Sequence, residues 1–174
     1  MSSTELYYIT KKNRVINCMD FRNSWLGAMC VWANLYKAHF AERIKSNTKE
    51  LGFEADSPIT DDDYKAVWGL FKKEDVPEYE KAVLGSTFDN VILEKEQFKR
   101  FYDDVLRYCI YYQAGTLLAQ AQFINTLSKR KTIRGVAWNQ TSVNADTYYR
   151  IKKLVKSGEL WSLYKEIDKN KEAK

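Results

Sequence analysis

How TIRGVAWNQTSVNADTYYRIKKLVKSG, residues 132–158, divides into elements determines whether this chain is purely helical. Taken at the 3.6-residue period, the stretch reads as two helices, 132–140 and 144–157, around the polar turn QTSV. Asn144 can cap the second helix, Tyr148, Ile151 and Leu154 give it an apolar stripe, and Gly158 ends it. Two short helices about a turn, the second opening on polar side chains, match the plan of a helix-turn-helix reader. Asn144, Thr147 and Arg150 then point outward, where Asn and Arg can each make two hydrogen bonds to one base edge. Lys129, Arg130, Lys131, Arg134, Lys152, Lys153 and Lys156 would hold phosphates, which adds affinity without sequence information. Two features depart from the motif. Trp138 falls where the helices cross and a small residue is needed, and the turn has no glycine. The same residues also fit two amphipathic helices whose lysines keep one face solvated.

Charge is sorted along the chain. The net charge is +5, but residues 129–156 carry eight basic side chains against Asp146 alone, 8 − 1 = +7. Residues 54–82 carry nine acidic side chains and four lysines, 4 − 9 = −5. Such polarity predicts two faces of opposite potential, the basic one suited to a polyanion.

The remaining composition narrows the fold. A chain of 174 residues, 45% hydrophobic and 14% aromatic, has ample material for a core in one domain. Only 7 Gly and 2 Pro punctuate it, which favours long helices. In residues 6–21, two β-prone runs flank Lys11-Lys12-Asn13 and predict a hairpin. A helix is expected over 23–46, with Trp25, Met29, Trp32, Tyr36, Phe40 and Ile44 on its apolar face, then a loop over 46–59. Thr60 caps a helix whose first turn holds Asp61, Asp62 and Asp63, and Pro77 opens a short helix stopped by Gly85. Over 93–128 a three-four alternation through Phe98, Tyr102, Val105, Cys109, Tyr112, Thr116, Ala119 and Phe123 predicts one long helix of about 50 Å, bent at Gly115. A final helix is expected over 160–168. The fold class is therefore all-α: a helical bundle over 1–128 with an N-terminal hairpin, and a basic, helix-turn-helix-like region over 129–174 packed on it.

Chemistry has little to work with. His39 is the only histidine, and Cys18, Cys30 and Cys109 have neither metal-knuckle nor disulfide spacing. Asp103 and Asp104 lie in the long helix with no acidic partner from another segment, and no glycine-rich phosphate loop or nucleophile elbow occurs. No cofactor is expected. MSSTELYYITKKNRV has no continuous apolar region and no run nears the roughly 18 apolar residues of a span, so a cytoplasmic location and no membrane partner are expected. The leading expectation is a small non-enzymatic nucleic-acid-binding protein, with DNA ahead of RNA and a regulatory role. The alternative draws on tyrosine clusters such as LYYI and YCIYY, favoured at interfaces. It is a protein-interaction module or inhibitor, of the accessory kind phages and mobile elements encode, which binds a host protein complex.

Overall fold

The computed structural model describes residues 3–22, 28–40, 61–140 and 147–172. The chain is not all-α. Five strands form one mixed sheet: β1 (Ser3–Thr10), β2 (Val15–Arg22), β3 (Val91–Glu94), β4 (Ile133–Gln140) and β5 (Trp161–Ser162). Their order is β2-β1-β4-β3-β5, antiparallel throughout except for the parallel pair β3–β5. Seven α-helices surround it among the described residues: α1 (Ala28–His39), α2 (Asp61–Gly69), α3 (Glu78–Gly85), α4 (Phe98–Tyr111), α5 (Gly115–Thr126), α6 (Thr147–Ser157) and α7 (Leu163–Glu172).

The main correction falls on 132–140. The stretch is β4, the middle strand, so the helix-turn-helix reading fails at its first helix. Both of its faces are buried. Val136 and Trp138 enter the larger core with Leu6, Leu93 and Phe101, the Trp138 and Phe101 rings lying 5.4 Å apart. Ala137 faces the other way, into a smaller cluster with Tyr7, Ile9, Val15, Ile92, Ile151 and Val155. A strand covered on both sides loses the polar–apolar alternation that would mark it, and a short apolar run then resembles a buried helix.

Gly135 explains why the run is a strand. A Cβ there would stand 2.6 Å from the Leu93 carbonyl oxygen and 2.9 Å from Ile92 Cγ1, so only glycine lets β3 come this close. One residue earlier the ladder slips: Ile9 pairs with Gly135 but Thr10 with Ile133, leaving Arg134 as the extra residue of a bulge.

The hairpin over 6–21 forms as expected, as β1 and β2, with Asn13 at φ 58° in the turn. Asn tolerates this left-handed conformation better than most residues. The expected long helix over 93–128 does not form. Its start is β3, followed by a 3-10 turn, Lys95–Gln97. Its middle breaks where Tyr112 is extended (φ −134°, ψ 144°), and the chain turns so that α5 packs against α4. The Tyr112 ring lies 4.5 Å from that of Tyr108 and its hydroxyl donates to Glu80 Oε1 at 2.8 Å, so tertiary contacts override a helical period. The bend placed at Gly115 thus falls three residues earlier, and Gly115 begins α5.

Of the helix expected over 23–46, α1 is described, with Trp32, Leu35 and Tyr36 buried. Residues 23–27 and 41–46, the loop over 46–59 and the Thr60 cap lie outside the described residues. Pro77 and Gly85 bracket α3 as read, and α7 starts at Leu163, behind the two-residue β5.

The layers are unequal. Helices α1–α5 and α7 share the core on the Val136 and Trp138 side of the sheet. Helix α6 alone covers the other face, through Ile151 and Val155. Arg100 ties the larger layer together. Its guanidinium grips Asp168 through two hydrogen bonds (3.0 and 2.7 Å), donates from Nε to Glu78 Oε1 at 2.7 Å and lies 4.1 Å over the Tyr164 ring. Tyr164 donates to Asp104 Oδ2 at 2.5 Å, and Lys171 also pairs with Glu78. One guanidinium thus joins α3, α4 and α7.

Two predictions follow from these contacts. In a helix Gly135→Ala would stabilise by roughly 1 kcal/mol. In β4 it destabilises by about 1–3 kcal/mol, because the methyl meets backbone rather than a side chain that can move. Gly69→Ala, at the helical end of α2 with no atom within 4 Å of the new Cβ, is the contrasting control and should leave stability unchanged or raise it by up to about 1 kcal/mol, and denaturant midpoints read both. The Arg100 cluster also sets an acid limit. Burial raises the Glu78 pKa, but hydrogen bonds from Lys171 and Arg100 outweigh it and hold the carboxyl below its ordinary value. The Arg100 hydrogen bonds depress Asp168 likewise. Groups depressed on folding stabilise fully above their unfolded pKa near 4, and that stability is lost as pH falls through the folded values. Asp104, raised by burial, works the other way. An Arg100→Met variant is therefore less stable at pH 7 and loses less stability between about pH 5 and pH 2 than the parent. An unchanged acid slope contradicts the assignment.

Candidate nucleic-acid interface

Three chain segments meet at one end of the sheet. The first is the β1–β2 turn, where Thr10 N–H donates to Arg14 O at 2.9 Å, Asn13 N–H to Thr10 O at 2.9 Å and Arg14 N–H to Thr10 Oγ1 at 3.0 Å. This tight turn holds Lys11, Lys12 and Arg14 exposed. The second is the approach to β4. A 3-10 turn, Leu127–Lys129, buries Leu127 and closes when Arg130 N–H donates to Leu127 O at 3.0 Å. Lys129, its last residue, and Arg130 and Lys131 after it are all exposed. The third is Lys95, which leaves the end of β3 and donates from Nζ to Arg130 O at 2.7 Å.

Lys11 N–H donates to Thr132 O at 2.9 Å and locks the hairpin tip to the start of β4. The Arg130 guanidinium lies 5.8 Å from the centre of the Tyr8 ring. The sheet register itself therefore brings together Lys11, Lys12, Arg14, Lys95, Lys129, Arg130 and Lys131. None of the seven is ion-paired within the described residues. Several cations of the helical layer differ: Lys65, Lys99, Arg100, Lys165, Lys169 and Lys171 each have a carboxylate within 4.0 Å, although Lys37, Lys72, Lys73, Lys81 and Arg107 have none among the described residues. Glu94, at the end of β3, is engaged by Ser162 and Lys165, and Glu96 follows Lys95 in the chain. Cys18, the extra residue where β2 slips against β1, is also near Arg130. Burial pushes its thiol up to about 11 against that charge, and Sγ donates to Leu6 O at 3.1 Å, so it stays a protonated, packed thiol at neutral pH.

The residues singled out from the sequence divide into groups. Lys129, Arg130 and Lys131 belong to the cluster. Arg134 sits in the β4 bulge, half-buried, with a buried Nε that has no hydrogen-bond partner among the described residues. Asn144 lies outside the described residues, and Thr147 is the first residue of α6. Arg150 is drawn away to Asp89, Nη1 to Oδ2 3.1 Å, on the approach to β3 at the far end of the sheet. Lys152, Lys153 and Lys156 are exposed on α6, whose inner side meets Ile9 and Val15 at the base of the hairpin turn. Lys11, Lys12, Arg14 and Lys95 were not singled out, although the turn itself was legible. Their relevance appears only when 132–140 is a strand that the hairpin can pair with.

A second polar cluster lies in the helical layer. Glu80 is buried, accepts from Tyr112 at 2.8 Å and faces His39 Nε2 at 2.6 Å. These contacts join α1, α3 and the end of α4, and Tyr112 is held protonated by burial and by Glu80. Asp103 and Asp104 have separate partners, Lys99 and Tyr164, and do not act as a pair. Among the described residues no group of three His, Cys, Asp or Glu side chains could hold a metal ion. No described helix is long and apolar enough to cross a membrane. No protein-family model, curated protein or solved structure matches the chain.

Glu80→Ala would leave the Tyr112 hydroxyl and the His39 ring without their shared acceptor. It should cost about 2–3 kcal/mol in thermal or denaturant unfolding, and a change below about 0.5 kcal/mol would show the cluster to be incidental.

Proposed function

We propose that this chain is a small, non-enzymatic nucleic-acid-binding protein that holds the phosphate backbone at the cationic end of its sheet. The observation that carries the reading is the convergence of cations from separate segments on one end of the sheet. Seven cations from three distant segments gather at the sheet end with no ion pair among the described residues, whereas cations such as Lys99, Arg100 and Lys169 of the helical layer are matched to carboxylates. Like charges held together in this way repel, and an external polyanion relieves the repulsion while releasing condensed counterions. Backbone hydrogen bonds fix the turn and the β4 approach, so little ordering accompanies binding. With 132–140 in the sheet, the helix that would have supported a base-reading partner is gone, and with it the reason to rank DNA above RNA. The support is for contact with phosphates, and the α6 lysines are the secondary contributors.

A second reading, a protein-interaction module or an inhibitor of a host protein complex, draws on α4. Leu106, Ile110 and Tyr111 are exposed on it, Ile110 at 75%. Large apolar side chains grouped on one helix mark protein contacts.

The test is retention on immobilised DNA and RNA across a salt gradient. The parent should elute with a linear log–log salt dependence. Lys11→Glu, Lys12→Glu and Lys131→Glu combined should lower the slope by about two to three, at roughly 0.7–0.9 per phosphate contact. Lys152→Glu with Lys153→Glu should lower it less. A parent with no salt-sensitive retention on either polymer overturns the reading.

A further inference from the structure

At the other end of the sheet, where Asp89 and Asn90 lead into β3, lies an open cavity of about 440 Å³. Trp32 of α1, Tyr64 and Trp68 of α2, Phe88, Asn90 and Arg150 of α6 line it, together with Thr87 and Asp89. Its size falls within the roughly 300–1,000 Å³ of small-molecule sites. The rings form a defined array. Tyr64 and Trp68, one helical turn apart, lie nearly parallel (17°) with centres 6.5 Å apart. Trp32 stands across both, at 61° and 5.2 Å from Tyr64 and 75° and 5.4 Å from Trp68. Trp32 is anchored from behind: its indole N–H donates to Thr87 Oγ1 at 2.9 Å, and the Thr87 hydroxyl donates to Leu84 O at 2.6 Å. Trp68, in contrast, is 41% exposed.

We propose that this cavity binds a nucleobase carrying a phosphate, as a free nucleotide or as one unpaired nucleotide of a single strand. The rings offer a face on which any base can stack, and Asn90 carries an amide that can both donate to and accept from a base edge. Arg150 contributes the charge. Asp89 holds the guanidinium in place at 3.1 Å, and the remaining N–H groups of its fork serve a phosphate oxygen. A quaternary ammonium, the other ligand that aromatic boxes hold, is disfavoured because the guanidinium stands in the wall and the carboxylate there is already paired with it. The inference goes beyond phosphate-backbone binding: the cavity lies at the opposite end of the sheet from the seven cations and recognises a base rather than a run of phosphates.

The experiment is calorimetric titration of the parent with the four ribonucleoside monophosphates, inorganic phosphate, choline and a single-stranded decanucleotide. Binding of at least one monophosphate with Kd below about 1 mM, without choline binding, is the result expected. Trp68→Ala, at an exposed site, and Arg150→Gln should each weaken it at least tenfold, with circular dichroism confirming the fold. If the decanucleotide binds in a Trp68-dependent way and no monophosphate does, the nucleotide belongs to a strand and the cavity assignment stands. Reversing Lys11, Lys12 and Lys131 should lower decanucleotide affinity and leave monophosphate affinity unchanged, so the two sites fail or hold separately. The proposal is overturned if nothing with a base binds, if binding ignores both variants, or if choline binds instead.

Discussion

One close approach governs this fold: the Leu93 carbonyl occupies space that any side chain at position 135 would fill. With glycine there, β3 pairs with β4 on one side while the β1–β2 hairpin pairs on the other. β4 then becomes the axis of the molecule, buried by six helices on one face and by α6 on the other. The same pairing decides where charge goes. Lys95 follows β3, Lys129–Lys131 precede β4, and Lys11, Lys12 and Arg14 cap the hairpin, so three antiparallel registers deliver their cations to a single end.

Much of this organisation was legible and a decisive part was not. The hairpin could be read because β2 retains solvent-facing positions and the turn is polar. α3 could be read because Pro77 and Gly85 mark its ends. β4 could not, because its pattern reflects burial on both faces rather than its period, and Val136, Ala137 and Trp138 in succession suit a buried helix as well as a central strand. The informative residue was Gly135, which a helix interior tolerates poorly and a closely approached strand requires. The break after α4 was hidden for another reason. Tyr112 continues a helical period, and contacts with Glu80 and Tyr108, distant or invisible in one dimension, draw it out of the helix.

The candidate site was legible by composition and misplaced in detail. Counting cations over 129–156 located Lys129, Arg130 and Lys131, yet grouped them with Arg150, which serves Asp89 at the far end of the sheet. A sum of charge along the chain cannot distinguish a cation that is internally paired from one that is not. That difference separates the Arg100 cluster, which holds helices together, from the seven at the sheet end, which have no ion pair among the described residues. The proposal of nucleic-acid binding rests on the convergence of those seven, and the proposed base site lies in the aromatic cavity beside Arg150.

Amide hydrogen exchange with and without a nucleic-acid ligand tests the central claim most directly, because it reports fold and interface together. The account predicts slow exchange across residues 135–139 in the free protein, as befits a strand hydrogen-bonded on both sides, and new protection at 11–14 and 129–132 on adding the ligand. Rapid exchange through 135–139, or ligand protection that bypasses the hairpin turn, would contradict it.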